Sequence, residues 1–371
     1  MDVDRPLTSC ALVCKSWLSP ARRLLYHSVT VDTGPAHLSR GRGTIGVEAL
    51  LKRSHLLRFT RSLSIIVHEK TPTLPLFSEN DSPKGRRKSI QIPAFFFLLA
   101  HTPRLRYLKL DGEPMKIAKK AHILDWLSSL MLPIEVLDIS NEDLFPPTFV
   151  DDLLGIWPTV RALRAFESCR GPPPGRASIS LRELRLDAIS AIVTAIEQLL
   201  PPPPPNEQSI LQFLRLYAIP EEARAMLSVH GPSVSTLTLA LQPSFEIAHV
   251  FTKLEELVIA GPIWVGPLST FPRTLKHIRL QLLDAGLSYI FMHFSRRFVA
   301  AITQELHMLP DLRLISIEKE FAVSEHYPDL QKACETHKVE ILISSSDSSG
   351  KPVVRAYQRA QLQLSATSII H

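Results

Sequence analysis

Only a few residue patterns in this chain have the types and spacing that chemistry requires. Gly41, Gly43 and Gly46 spell GxGxxG directly before a predicted helix. Such a turn holds the pyrophosphate of a dinucleotide when a strand leads into it and an acid about 20 residues later reaches the ribose. Here 9 residues separate the predicted strand end at Val31 from Gly41, and the basic segment that follows offers no evident acid. The pattern therefore predicts a flexible connection and not a nucleotide site.

The acidic, thiol and imidazole side chains predict no catalytic or metal site. Asp151 and Asp152 are adjacent on a predicted helix, so their carboxylates diverge and cannot share a proton. Cys10 and Cys14 lie on one apolar helical stripe with no His or Cys pair nearby in sequence, which favours packing over metal binding. The 14 histidines form no HExxH, and the sequence contains neither GxSxG nor GxxxxGK[ST]. We therefore expect a protein that is not an enzyme and that holds no metal and no cofactor.

Two unusual runs each leave an alternative open. Residues 84–88, KGRRK, predict a solvated loop, with a nuclear address or a phosphate contact as the alternative. Residues 201–205 are five consecutive prolines, which adopt a stiff extended helix. That run predicts a spacer, with docking of a proline-reading module as the alternative.

Charge and composition exclude several broad classes of protein. The net charge of +6 is not concentrated in a basic stripe, so we expect no nucleic-acid partner. Four cysteines form no disulfide framework, which indicates a reducing compartment. The start, MDVDRP, carries acid where a secretory signal has base, and no stretch reaches 18 apolar residues. The sequence therefore predicts a cytoplasmic or nuclear protein without a membrane partner.

The pattern that repeats most often predicts strands. Nine times between residues 105 and 317 the chain places an aliphatic residue, two others, an aliphatic, one other and an aliphatic. The last two aliphatics point to one face of an extended strand, and the residue between them points to the other. Prolines that closely precede six copies end the preceding helix. The copies are Leu105, Leu108, Leu110; Ile134, Leu137, Ile139; Val160, Leu163, Ala165; Leu181, Leu184, Leu186; Leu211, Leu214, Leu216; Val234, Leu237, Leu239; Leu254, Leu257, Ile259; Leu275, Ile278, Leu280; and Leu312, Ile315, Ile317.

The spacing of these copies predicts a solenoid. Successive copies begin roughly 20 to 37 residues apart, which leaves room for a helix and a return loop after each strand. We therefore expect an α/β, irregular leucine-rich-repeat solenoid with parallel strands on the concave face and helices on the convex face. Strands are also predicted at 28–31, 60–65 and 339–343, a loop at 70–91, and helices at 45–53, 95–100, 115–131, 147–157, 188–200, 219–229, 245–252, 288–308 and 328–337.

Residues 9–26, SCALVCKSWLSPARRLLY, predict two short helices, because Ser19 and Pro20 form a helix cap followed by a favoured first residue. This stretch resembles the second half of an F-box, a small helical module that docks on the Skp adaptor of cullin-type ubiquitin ligases. An F-box is frequently coupled to a leucine-rich-repeat array, and the resemblance to fungal-type F-box proteins extends more loosely through the rest of the chain. It implies adaptor contact by Leu12, Val13, Cys14, Trp17 and Leu18.

The resemblance covers only part of an F-box. The leucine-proline-x-glutamate-isoleucine helix that opens the module is missing, because only a few residues precede Cys10. This implies an N-terminally truncated F-box with an incomplete adaptor surface. The alternative is that residues 9–26 cover the end of the solenoid, since terminal repeats need a cap. The predicted organisation is a partial F-box-like segment at 1–27, the leucine-rich-repeat-like solenoid at 28–343 and a Ser-rich, disordered tail at 344–371.

The residues between the last two aliphatics of each copy predict where a partner binds. On a parallel ladder they stack about 4.8 Å apart, so Arg164, Arg185 and Arg215 would form a cationic row. One interpretation is that nearby acids neutralise this row. The other is a target-binding patch, because aromatic and arginine side chains anchor interfaces. The residues predicted to bind the target are Tyr107, Lys109, Arg164, Phe166, Arg185, Phe213, Arg215 and Tyr217.

Together, the repeats and the resemblance predict a binding protein. The first expectation is a substrate-recognition subunit of a Skp-cullin-F-box ubiquitin ligase, which binds an unknown protein target through the repeat array. The alternative is a non-catalytic leucine-rich-repeat scaffold that has lost adaptor binding. Retention of the adaptor in a pull-down separates the two.

Overall fold

The computed structural model describes most of the repeat region. The described residues are 21–22, 24–34, 44–68, 71, 73–76, 90–114, 120–139, 144, 147–165, 180–186, 192–204, 206–241, 247–263, 268–281 and 288–344. The residues that carry the F-box resemblance, the KGRRK run and the predicted tail beyond Ser344 lie outside this set. The chain divides into two compact units, Met1–Ile179 and Ser180–His371. Both are α/β structures in which parallel strands alternate with helices.

The first unit contains six parallel strands among its described residues. Five helices accompany them, and a separate antiparallel pair lies within the region predicted as a loop. In chain order the elements are β1 (Ser28–Asp32), β2 (Thr44–Gly46), α1 (Val47–Leu51), α2 (Ser54–Leu57), β3 (Ser62–Val67), β4 (Thr73–Leu76), β5 (Ile90–Pro93), α3 (Ala94–Ala100), β6 (Tyr107–Gly112), α4 (Lys120–Ser129), β7 (Val136–Ile139), α5 (Pro147–Ile156) and β8 (Ala162–Ala165). The parallel order is β2-β1-β3-β6-β7-β8.

The second unit contains seven parallel strands in sequence order among its described residues. Its elements are β9 (Glu183–Leu186), α6 (Ile192–Leu199), β10 (Phe213–Leu216), α7 (Arg224–His230), β11 (Thr236–Leu241), α8 (Ile247–Val250), β12 (Glu256–Ile263), β13 (His277–Leu280), α9 (Ser288–Glu305), β14 (Leu314–Glu318), α10 (Lys319–Ala322), α11 (Tyr327–His337) and β15 (Glu340–Ser344). Short 3-10 turns lie at Glu221–Ala223, Gly231–Ser233, Leu268–Thr270 and Leu306–Met308.

The second aliphatic residue of every predicted copy aligns with its neighbours and is fully buried. In the first unit Leu108, Leu137 and Leu163 are partners on adjacent strands. Full burial of such a side chain stabilises a protein by about 1.5–3 kcal/mol, so this column contributes strongly to the core. The matching column of the second unit is Leu184, Leu214, Leu237, Leu257, Ile278 and Ile315.

Each strand also begins with the same backbone hydrogen bonds. The carbonyl oxygen of Arg106, just before β6, accepts the N–H groups of both Glu135 and Val136 at the start of β7. In the same way, the carbonyl oxygen of Arg182, before β9, accepts the N–H groups of Gln212 and Phe213 at the start of β10. The copies therefore share one backbone arrangement although their sequences and lengths differ.

Aromatic side chains join the helices of the first unit. The rings of Phe96 on α3 and Phe149 on α5 meet edge to face with centroids 6.3 Å apart. Phe97 and Trp126, on α3 and α4, lie 5.5 Å apart. Because such pairs contribute beyond their buried area, they fix how these helices pack.

Most of the predicted elements are confirmed, and the differences are local. The predicted helix at 45–53 is two short helices, α1 and α2, and the strand β2 precedes them. Leu74, inside the predicted loop at 70–91, pairs with Ile92, just after it, in the antiparallel pair β4–β5. The prolines suggested a loop there, but a two-stranded ribbon has free edges where a missing N–H costs no ladder bond. No described helix is long and apolar enough to cross a membrane.

Candidate protein-binding face

The side chains between the aliphatic residues occupy one face of each unit's parallel sheet, which we call the polar face. In the first unit Ser64, Lys109, Asp138 and Arg164 are successive partners across β3, β6, β7 and β8. In the second unit the partners are Arg185, Arg215, Thr238, Val258, Arg279 and Ser316. The predicted stacking of these residues is therefore confirmed within each unit.

The polar face is less accessible than the sequence suggested. Asp138 and Arg185 are each only 4% exposed, and Ser316 is 2% exposed. The expectation that this face is open to solvent or to a partner is wrong at these positions. The physical reason is crowding, because strands about 4.8 Å apart bring long side chains over the shorter side chains beside them.

In the first unit, acids lie beside the cations of the polar face. The Tyr107 hydroxyl donates a hydrogen bond to Asp138 Oδ2 at 3.1 Å, and Arg164 Nη1 lies 3.6 Å from Asp138 Oδ1. Lys109 Nζ lies 3.3 Å from Asp111 Oδ2. Tyr107 is also buried, so its ring is not a surface anchor. Here the interpretation that nearby acids neutralise the row is supported.

A second charge network joins β12, β13 and β14. Glu256 Oε1 lies 3.2 Å from Arg279 Nη2 and 3.3 Å from His277 Nδ1. His277 Nε2 is 2.7 Å from the Ser316 hydroxyl. We call these four residues the β12–β14 network. Sequence reasoning missed it, because its members lie on separate strands and match no short motif.

The order serine, imidazole, carboxylate in this network is also that of a nucleophilic triad. A nucleophile must be reached by its substrate, but Ser316 is almost fully buried. The oxygen of Glu256 that faces His277 is also shared with Arg279, whose positive charge weakens its support of an imidazolium. We therefore interpret the β12–β14 network as a set of mutually compensating polar groups and not as a catalytic site.

The most favourable binding surface lies on β10. Phe213 and Arg215 lie on β10, Tyr217 directly follows the strand, and all three are partly exposed. They alternate with the buried Leu214 and Leu216, and the period of two places Phe213 and Arg215 on one face. We call the three residues the β10 triplet. They bring two aromatic rings and one guanidinium to a rigid strand and to the residue that follows it.

The ladder neighbours of the β10 triplet differ from those on the polar face of the first unit. Arg215 is the direct partner of Arg185 on β9, so two arginines are neighbours on the ladder. Like charges placed opposite one another on adjacent strands are unfavourable. Glu183 aligns with Phe213 and is also buried.

The structure separates the predicted target-binding residues into three groups. Phe213, Arg215 and Tyr217 lie together on the second unit. Tyr107, Lys109 and Arg164 lie on the first unit, beside their acids, and Arg185 is buried. Outside the described residues lie Phe166 and the predicted adaptor contacts Leu12, Val13, Cys14, Trp17 and Leu18.

No group of three or more His, Cys, Asp or Glu side chains within the described part of the chain could hold a metal ion. Comparison of the chain with protein-family models and with curated proteins returns no match. The F-box resemblance therefore depends on residues 9–26 alone, and the functional argument depends on the polar face.

Proposed function

We propose that this protein is the target-binding subunit of a Skp-cullin-F-box ubiquitin ligase, and that its two units belong to one irregular leucine-rich-repeat-like solenoid. The regular parallel ladders and the shared backbone start of each strand support the solenoid. The sequence of residues 9–26 supports the adaptor role. The ligase chemistry belongs to other subunits, so this chain supplies recognition.

The observation that carries target binding is the β10 triplet. Aromatic and arginine side chains are the residues that most often dominate interface energies, and here they lie on a strand that the ladder holds rigid. A rigid surface loses little conformational entropy on binding. The partly exposed guanidinium of Arg215, with an aromatic residue on either side of it at i−2 and i+2, favours a target with an exposed carboxylate flanked by apolar groups.

A photo-crosslinking experiment tests this site. A photoreactive phenylalanine analogue replaces Tyr217 and, in a matched control, the half-buried Tyr327 on α11. Illumination in cells followed by mass spectrometry identifies a target, which is then purified. We expect crosslinks to one protein from position 217 and none to it from position 327. Equal crosslinking from both positions would contradict the site.

Charge reversal then tests the chemistry with the purified target. Arg215→Glu should weaken its binding about tenfold or more, the loss typical of a central arginine. The matched control is Arg182→Glu, because Arg182 is exposed next to β9 and the charge change is the same. This control should bind within about twofold of wild type. Arg185 is unsuitable for this test, because its burial means that its replacement would also affect folding.

Binding of the Skp adaptor distinguishes the proposed ligase subunit from the alternative, a scaffold that does not bind the adaptor. We expect purified Skp adaptor to bind the wild-type chain and to be lost with Trp17→Ala, while the crosslinked target still binds. A wild-type chain that binds the target but never the adaptor would support the scaffold, the second candidate function.

A further inference from the structure

The described prolines at 201–204, between α6 and β10, lie at the surface of the second unit. Pro202 and Pro204 are exposed, while Pro201 and Pro203 are half-buried. No described residue from 201 to 204 belongs to a helix or a strand. Asn206, like Glu207 and Gln208, is exposed as well, so a continuous polar flank follows the prolines.

One buried side chain fixes both ends of this segment. His230, at the end of α7, is 6% exposed. Its Nε2 lies 3.1 Å from the carbonyl oxygen of Leu200, directly before the prolines, and its Nδ1 lies 2.8 Å from the Ser209 hydroxyl. A carbonyl oxygen only accepts, so Nε2 donates to Leu200 and Nδ1 accepts from Ser209 in the neutral ring.

We call these two hydrogen bonds of His230 the His230 clamp. The surroundings of His230 strengthen it. Burial lowers the pKa of His230, with a smaller opposing effect from the Leu200 carbonyl, so the ring is neutral near pH 7. The Glu207 N–H donates to the Pro204 carbonyl at 2.9 Å and turns the chain back. Leu200 and Leu211 on either side are buried.

We propose that the prolines at 201–204 are a docking site for a protein module whose aromatic-lined groove reads a polyproline II helix. Proline fixes φ near −65° and has no N–H, so these residues present rings and carbonyl oxygens in a preformed helix. In that helix four residues extend about 12 Å. Aromatic grooves of the SH3, WW and EVH1 type recognise such a surface.

The charges that flank the prolines indicate which kind of groove fits this segment. Glu197 and Glu207 are both exposed, and residues 197–208 contain no Lys or Arg. A groove with a basic rim therefore fits this segment better than one with an acidic rim. Because His230 holds both ends, the segment loses less entropy on docking than the same prolines would in a free peptide.

Titration of the full-length chain with isolated SH3, WW and EVH1 domains tests this proposal. We expect at least one domain with a basic groove rim to bind, and Pro202→Ala with Pro204→Ala to weaken that binding at least tenfold. Pro310→Ala is the matched control, because Pro310 is an exposed proline elsewhere in the same unit. It should leave the affinity unchanged.

Two further measurements decide the role of the clamp. Ser209→Ala should weaken binding of the same domain about threefold, while the hydrogen bond from His230 to the Leu200 carbonyl is retained. A free peptide of residues 197–208 should bind more weakly than the full chain. Failure of all three domains to bind, or equal binding by the double proline variant, would overturn the docking site. If the free peptide bound the domain as tightly as the full chain does, the proposal that His230 pre-orders the segment for docking would be overturned.

This proposal is independent of target binding by the β10 triplet. Arg215→Glu should leave binding of the polyproline-reading domain unchanged, while the double proline variant should still capture the β10 target. The failure of one proposal is therefore distinguishable from the failure of the other.

Discussion

The polar faces of the two units differ although their ladders are built alike. In the first unit Asp138 lies beside both Tyr107 and Arg164, so charge is compensated within the sheet. In the second unit the arginines of β9 and β10 are direct partners, and two aromatic residues flank the second of them. The comparison shows that the same aliphatic columns maintain the fold in both units, while the residues between them differ in charge and exposure. The following predictions test whether the first face is structural and the second is functional.

The largest expected effect is on the backbone of the first unit. Gly112 ends β6 with φ +122°, and a Cβ there would overlap the Val67 carbonyl group. We expect Gly112→Ala to lower the free energy of unfolding by about 3 kcal/mol or more, because the strained φ adds to a clash with backbone. Urea denaturation measures this change. Gly46→Ala is the control, since nothing lies within 4 Å of its added methyl, and an equal loss there would contradict the argument.

The next largest loss of stability is expected when the carboxylate of Asp138 is removed. Asp138→Ala leaves Tyr107 and Arg164 without their common carboxylate in a buried place. We expect a loss of about 2–3 kcal/mol in the free energy of unfolding. The comparison variant is Arg215→Ala on the partly exposed β10 triplet, which should change stability by about 0.5 kcal/mol or less. Equal losses would mean that the second polar face is as structural as the first.

Acid should destabilise both units through the half-buried His27 and the buried His230. Burial lowers the pKa of His27 in the first unit, aided by the Arg61 charge, and burial also lowers the pKa of His230 in the second. The unfolded chain then binds more protons than the folded chain as the pH falls below the ordinary value of 6.5. Their stabilisation is therefore complete above that pH and is lost below it.

Single replacements assign this pH dependence to each unit. Between pH 7.5 and 5, the free energy of unfolding of His27→Gln and of His230→Gln should each fall less than that of the wild type. His55→Gln, at a surface position of α2, serves as the control and should follow the wild-type profile. If neither buried variant flattens the profile, other groups set the acid sensitivity.

The smallest signal is expected from Cys334, a buried free thiol on α11. Burial, with a lesser effect of Glu335, raises the pKa of this thiol to about 11, so almost no thiolate exists at pH 8. We expect slow alkylation of Cys334 by iodoacetamide in the native protein and fast alkylation in urea, followed by mass spectrometry. Fast native labelling would show that the C-terminal part of the second unit opens readily.

The strands were predictable because their signal is local. Leu181, Leu184 and Leu186 specify a buried face within six residues, and the structure places them on β9 with its preceding turn. Most helices were found for the same reason, since proline and apolar periodicity mark their limits. The pair β4–β5 was missed because residues 70–91 are polar and contain prolines such as Pro75, which suggested a loop, and only pairing between separated segments makes them strands.

The candidate site was only partly predictable. The alternation of Phe213, Arg215 and Tyr217 was visible in the sequence, and their common face followed from the strand period. The burial of Arg185 was not, because it depends on the side chains that neighbouring strands place over it. The His230 clamp was also hidden, since its partners at Leu200 and Ser209 lie 30 and 21 residues away.

The sequence by itself determined which residues form the repeated strands and which side of each of those strands carries aliphatic side chains. Those properties depend on a period of two and on nearby prolines, which act within a few residues. The tertiary structure alone decided which arginine lies beside an acid, which lies beside another arginine and which polar groups are buried. Strand register and packing join residues far apart in the chain, and charge compensation depends on distances of a few ångströms that no local pattern specifies.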